Sequence, residues 1–323
     1  MNFQRRTLLQ AGAAACVASA WPAMAQQYPA KPVKLILPSA PGSTIDANGR
    51  YIADQLSRRL KATFVIDNRA GAGGGIGSDI IAKSPADGYS LLFGGTTHFT
   101  TRLLPDSGLT YDPVKEFVAI AKVSSGSLAL AVPAESPYKT AKDLIAAMKA
   151  KPGEVTVGTQ GVGSAGHISA LLLEQAAGIR LECVSYAGSA PAAVALMRRD
   201  IQVTTASLGE SLTFAQQQPW RVLGLMAPDR SELARDIPTC KEAGYDIRGG
   251  SLRGIGAPSG LPEAVVRRLS AAISNVLRHP DFREASVRTF QPLRFLDSAD
   301  YVAYLREADA AHRALWRMRP WNS

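Results

Sequence analysis

Short apolar runs alternate with stretches of helical period along most of this chain, and that alternation predicts an α/β fold. Runs at 33–37, 64–66 and 91–93 read as strands, while residues 46–60 and 77–82 between them repeat apolar positions every three to four residues. The result is a βαβαβ series, which implies a parallel sheet with right-handed crossovers. A second series starts at 128–132 and runs through 141–149, 155–158, 168–177, 181–184, 192–199 and 201–205, ending at 222–226. An apolar return strand at 251–257 and helical stretches at 262–277 and 298–315 follow. If these last helices pack on the first series, the chain crosses between two lobes near residues 126 and 250. Lobe one then holds 26–126 and 251–323, and lobe two holds 127–250. Two crossings make a hinge beside a cleft.

The first 25 residues lie outside this pattern. Phe3-Gln4-Arg5-Arg6-Thr7-Leu8-Leu9 is a twin-arginine pattern, followed by an apolar stretch at 11–20 and the small-residue site Ala23-Met24-Ala25. A signal peptide cleaved after Ala25 is expected, and with it a periplasmic location. The apolar stretch is shorter than the roughly 20 residues that a spanning helix needs, and Ala13-Ala14-Ala15 before Cys16 lacks the leucine usual before a lipidated cysteine.

Removing the peptide leaves 298 residues, more than one small core usually serves. Without Arg5 and Arg6, 34 basic residues face 27 acidic ones, a net charge of +7. The basic residues are scattered without interleaved aromatics, so no nucleic-acid partner is expected. Mild positive charge suits small anions. An oxidising compartment permits disulfides, but Cys183 lies in an apolar strand-like run, and it and Cys240 are read as two separate semi-buried thiols.

Residues 68–94, NRAGAGGGIGSDIIAKSPADGYSLLFG, carry the most distinctive motif. A glycine loop between strand and helix can cradle phosphate, but neither a Walker-type loop nor G-x-G-x-x-G can be placed in this run. Instead Asn68-Arg69-Ala70-Gly71-Ala72-Gly73-Gly74 with Asp87-Gly88-Tyr89-Ser90-Leu91-Leu92 resembles the signature of the Bug family, the TctC-like periplasmic solute-binding proteins of tripartite tricarboxylate transporters. Pro38-Ser39-Ala40-Pro41-Gly42, Tyr111-Asp112-Pro113, Gly161-Val162-Gly163-Ser164 closing on His167, Tyr186-Ala187-Gly188-Ser189-Ala190-Pro191, and Pro238-Thr239-Cys240-Lys241-Glu242-Ala243-Gly244 agree in the same order. The resemblance covers nearly all of residues 28–310. It implies a two-lobed periplasmic binding protein, type II-like or Venus-flytrap in form, each lobe a mostly parallel sheet flanked by helices. It also implies a small carboxylate ligand and the membrane subunits of a tripartite transporter as partners. The chain is read as a monomer with no cofactor.

In an open doubly wound sheet, ligands bind beyond the strand carboxyl ends where strand order reverses. With order 2-1-3 in lobe one, the candidates are Ser43, Thr44, Asp46, Thr96, Thr97 and His98. By the same logic lobe two offers Gly163, Ser164, His167, Ser189, Ala190 and Ser207. Helices opening after Ser43 and Ser164 would point their positive dipole ends at an anion, worth ~0.3–1 kcal/mol each. Each hydroxyl is also an ordinary helix N-cap. His167 and His98 either touch the ligand or fix a loop through a ring nitrogen, and Tyr186 either holds a ligand oxygen or packs. His279 and His312 sit among charges and are expected to be solvated, so four dispersed histidines build no metal site.

Two segments depart from the family pattern. Ser43 and Thr44 stand where glycine is common, which implies a smaller or more polar pocket. The tail 312–323, with Trp316, Trp321 and three arginines, is either a packing variation or a partner contact.

Two enzyme readings compete. Gly161, Gly163 and Gly166 match G-x-G-x-x-G after a strand, with Glu182 downstream, as in an exported dinucleotide-binding oxidoreductase. Glu182 falls early in its strand, whereas a ribose-binding acid belongs at the carboxyl end. A serine hydrolase fails because Val162 occupies the first glycine position of G-x-S-x-G around Ser164. The reading is therefore a binding protein and not an enzyme.

Overall fold

The first series folds as its periodicity predicts. In the computed structural model, which describes residues 28–71, 74–95, 98, 111–113, 115–288 and 291–321, β1 (Val33–Leu37), β2 (Phe64–Asn68) and β3 (Ser90–Gly94) lie parallel in the order β2-β1-β3. Helices α1 (Thr44–Leu60) and α2 (Gly75–Ala82) form the crossovers. Successive strand residues face opposite sides of the sheet. Val33, Leu35 and Leu37 accordingly enter a core with Ile52 and Leu56, while Ile36 joins Ile81 and Leu92 on the other face.

Strand β4 (Phe117–Pro133) connects the two layers. Residues 117–127 pair antiparallel with β9 (Gly250–Pro258), from Phe117↔Pro258 to Ser127↔Gly250. Beyond Leu128 the same strand pairs instead with β7 (Val203–Ser207) and β8 (Trp220–Met226). The second series, read from residue 128, misses residues 117–127 of β4, where an apolar run at 117–123 leads into Ser124-Ser125-Gly126-Ser127. Strand β9 lies between β3 and β4, so the chain passes from one layer to the other on two paired strands, with Gly126 opposite Ser251.

The second layer repeats the logic of the first. α3 (Ala141–Ala150), β5 (Thr156–Thr159), α4 (Ala165–Ala177), β6 (Glu182–Ser185), α5 (Ser189–Arg198) and α6 (Leu208–Gln217) complete it, with β5 parallel to both β6 and β7. Leu128, Leu130 and Val132 point into a core with Leu144, Met148, Val157, Leu173 and Val203, and Ala131 faces Leu196, Ile201 and Trp220 behind it. Residues 206–210 are the junction of β7 with α6, whose capping box Ser207/Glu210 starts the helix there.

The closing elements pack on the first layer. α7 (Glu263–Arg278) buries Val265, Leu269, Ile273 and Val276 in its core. α8 (Pro280–Arg288) and β10 (Leu293–Leu296), an edge partner of β4, lead into α9 (Ser298–Met318). Near its start, α9 seats Tyr301 beside Ile36 and Leu92, and beyond its end Trp321 meets Ile168 and Leu171 of α4. Arg319 pairs with the buried Glu174 of α4. The tail thus packs against its own chain. His312 corrects an expectation: it is half-buried in α9, and burial lowers its pKa to about 4. Cys183 and Cys240 are free thiols, both raised by burial. Among the described residues no helix is long and apolar enough to cross a membrane.

Candidate functional site

The loop after β1 is braced by the family signature itself. Asn68, the last residue of β2, donates from Nδ2 to the Ser39 carbonyl at 3.1 Å and to Asp46 Oδ1 at 2.9 Å. Asp46 also accepts from the Gly42 N–H at 2.9 Å and from Arg50 Nε at 3.0 Å. Burial alone would raise the pKa of this carboxyl, but Arg50 and the Gly42 and Asn68 hydrogen bonds hold it below the ordinary value. Asp46 therefore holds its own loop, and both its oxygens are engaged. Ser43 caps α1 by accepting the Asp46 N–H at 3.2 Å, and its hydroxyl donates to Ser39 Oγ at 2.9 Å. Thr44 opens α1 with its side chain outside the description, and Thr96 and Thr97 also lie outside the described residues.

His98 closes the same region from β3. Its Nδ1 accepts the Gly95 N–H at 2.6 Å, and the buried ring leans on Gly74, the N-cap of α2 at φ +95°. A Cβ on Gly74 would overlap the imidazole, so both the backbone twist and the contact require glycine. Part of the glycine run thus packs on the β1 and β3 loops. Burial, then the charge of Arg253, lowers the His98 pKa to about 4, leaving the ring neutral and able to accept that N–H.

Lobe two is built in the same way. Ser164 caps α4 by accepting the His167 N–H at 3.2 Å, and His167 Nδ1 accepts the Gly163 N–H at 3.1 Å. Gly163 itself sits at φ +74°. Trp321 stands edge-on to the His167 ring, with centroids 6.2 Å apart, and burial and Arg319 lower its pKa to about 4. Both histidines thus take the loop-fixing arrangement. Tyr186 packs beside Trp220 and Met197. Ser189 and exposed Ala190 open α5, whose N-cap Gly188 supplies no side-chain bond to the first N–H groups.

Glu210 connects two of the predicted residues. Its carboxylate accepts from Ser189 Oγ at 2.8 Å, Ser207 Oγ at 2.8 Å and the Ser207 N–H at 3.2 Å. These hydroxyl protons point at Glu210, so the hydroxyls cannot also donate to a ligand. What α1, α4, α5 and α6 offer toward the strand carboxyl ends is mainly main-chain N–H and the positive helix end.

A pocket opens where β4 and β9 pass between the layers. Ser124, Ser125 and Gly126 of β4, Ser251 and Arg253 of β9, Ser207 and Gly209 of α6, and Gln291 with Pro292 line it. Asn48 donates to Gln291 at 3.0 Å, which ties the first turns of α1 to the pocket rim. Of the predicted residues, Ser207 lines this pocket and Ser189 is tied to it through Glu210; Ser43, Asp46, His98, Gly163, Ser164 and His167 make hydrogen bonds within their own loops. Arg253, Gln291 and the β4 serines escaped the sequence reading. The signal for Arg253 was present, a single cation in an otherwise apolar strand.

Two α/β layers joined by paired strands, with a polar pocket at the junction, define a two-lobed periplasmic-binding-protein fold. BugD, a solved periplasmic binding protein, matches it with a TM-score of 0.81 at 25% identity over 90% of this chain and 98% of its own. Residues 49–315 match the tripartite tricarboxylate transporter family receptor, and the chain belongs to that family. It is 31% identical over 289 residues to a UPF0065 protein from the tcbD–tcbE intergenic region of Pseudomonas sp. strain P51, covering 88% of this chain and 85% of that one. R. palustris Rpa4515, solved with adipate, is 28% identical, with a TM-score of 0.84 over 90% of this chain and 97% of its own.

Proposed function

We propose that this protein captures a small carboxylate between its two lobes in the periplasm and hands it to the membrane subunits of a tripartite transporter, with no chemical step of its own. The polar pocket at the β4/β9 junction carries this reading. It is lined by both strands that pass between the layers, and the start of α6 opens onto it at the carboxyl end of β7. The adipate held by the 28%-identical relative supports an acid as ligand. Lobe one comprises 26–126 and 251–323 and lobe two 127–250, and the Gly126/Ser251 pair serves as hinge. Closure removes water and strengthens each N–H contact to the anion. Residues 1–25 act as a twin-arginine signal cleaved after Ala25, and the mature chain works as a monomer.

The dinucleotide alternative at Gly161, Gly163 and Gly166 gains no support, since Glu182 is the first residue of β6 and exposed. Thermal unfolding of residues 26–323 against adipate, other di- and tricarboxylates, acidic amino acids, aromatic acids and NAD tests the choice. A ligand at one hundred times its Kd should add about 2.7 kcal/mol, or roughly 5–11 °C at ~2–4 °C per kcal/mol. A carboxylate should give that shift. Stabilisation by NAD alone would overturn the reading.

A further inference from the structure

We propose that Arg253 is the residue that reads charge in this pocket: its guanidinium takes an anionic oxygen of the bound solute at the lobe junction. The proposal rests on the carboxylate-binding reading above and adds the residue that makes acid groups preferred over neutral groups of equal size.

Arg253 is 8% exposed, in a strand whose neighbours Leu252, Ile255 and Ala257 are buried and apolar. Its Nη1 donates to Ser251 Oγ at 2.6 Å and to the Leu252 carbonyl at 2.9 Å. Its Nε is buried and has no partner among the described residues, and none of them brings a carboxylate within salt-bridge distance. An arginine fork has five donors suited to a planar oxyanion, and a buried cation without a counter-ion is costly to keep.

Glu210 is the carboxylate whose charge Arg253 feels, yet its oxygens are occupied by Ser189 and Ser207. The other lining groups, Ser124, Ser207, Ser251 and Gln291, are neutral. Opposite Arg253 in the ladder stands Ser124, beside a register shift after Lys122. Such bulges re-aim side chains next to functional sites. The same guanidinium also lies against Gly95, near the His98 clamp of the first-layer loop.

Arg253→Gln and Arg253→Lys, compared with wild type by equilibrium titration with adipate and neutral adipamide, test this. Arg253→Gln should weaken adipate binding roughly tenfold or more while leaving adipamide binding nearly unchanged. Arg253→Lys, which keeps the charge and loses the fork, should fall between. The ligand-free Arg253→Gln protein should unfold at or above the wild-type temperature, whereas loss of a purely structural arginine would lower it. A folded Arg253→Gln protein that binds adipate as tightly as wild type would overturn the assignment alone. A wild-type protein that binds no carboxylate would overturn the assignment and the function together.

Discussion

Lowering the pH from 6.5 to 4 is expected to remove about 3 kcal/mol of stability for each of two buried imidazoles, His98 and His167. Burial lowers both folded-state values from 6.5 to about 4, and a shift of that size corresponds to about 3 kcal/mol at ~1.36 kcal/mol per unit. The sign follows from proton uptake. Between the two values the unfolded chain binds a proton that the folded ring refuses, so stability is complete above pH 6.5 and declines as the pH falls toward 4. Below about 4 the two states bind equally and this loss stops. Carboxylates such as Asp46, with an ordinary value of 3.8, act mostly below that window. Denaturant unfolding at pH 7, 6, 5 and 4 checks this. His98→Asn and His167→Asn, whose amide oxygens can still accept the loop N–H, should each flatten the slope by one proton. A slope unchanged in both variants would mean that other groups carry the acid response.

Glu210→Ala should lower stability by ~1–3 kcal/mol, because the buried Ser207 N–H is left without its acceptor while Ser207 Oγ still caps the helix. Arg253 also loses the nearby negative charge of Glu210. Glu210→Gln, which keeps one acceptor oxygen, should lose about half as much. The shift of the urea midpoint at constant m-value reads both. A Glu210→Ala protein as stable as wild type would show that the carboxylate is not part of the framework.

Much of the scaffold was legible because burial imposes periodicity. A parallel βαβαβ unit followed from three apolar runs separated by helical repeats, and its strands take the doubly wound order β2-β1-β3 on which the choice of loops rests. What stayed hidden was polar structure inside regular elements. Ser124 to Ser127 sits in a strand whose ladder bonds to β9 come from the backbone, which sequence pattern does not record. Serines 43, 164, 189 and 207 are candidates by type and position, but a hydroxyl that caps a helix and one that grips a ligand look identical in sequence. Only the bonds to Asp46, His167 and Glu210 show where they are engaged. Arg253 was visible as an oddity, but its significance depends on an Nε without a partner among the described residues, which no pattern reveals.

Small-angle X-ray scattering of residues 26–323 with and without a saturating, stabilising carboxylate tests capture between the lobes most directly. The predicted result is a smaller radius of gyration with the carboxylate and no change with NAD, because closure about the Gly126/Ser251 crossing brings the two layers together. Identical scattering curves at full occupancy would contradict it, placing the ligand outside the cleft.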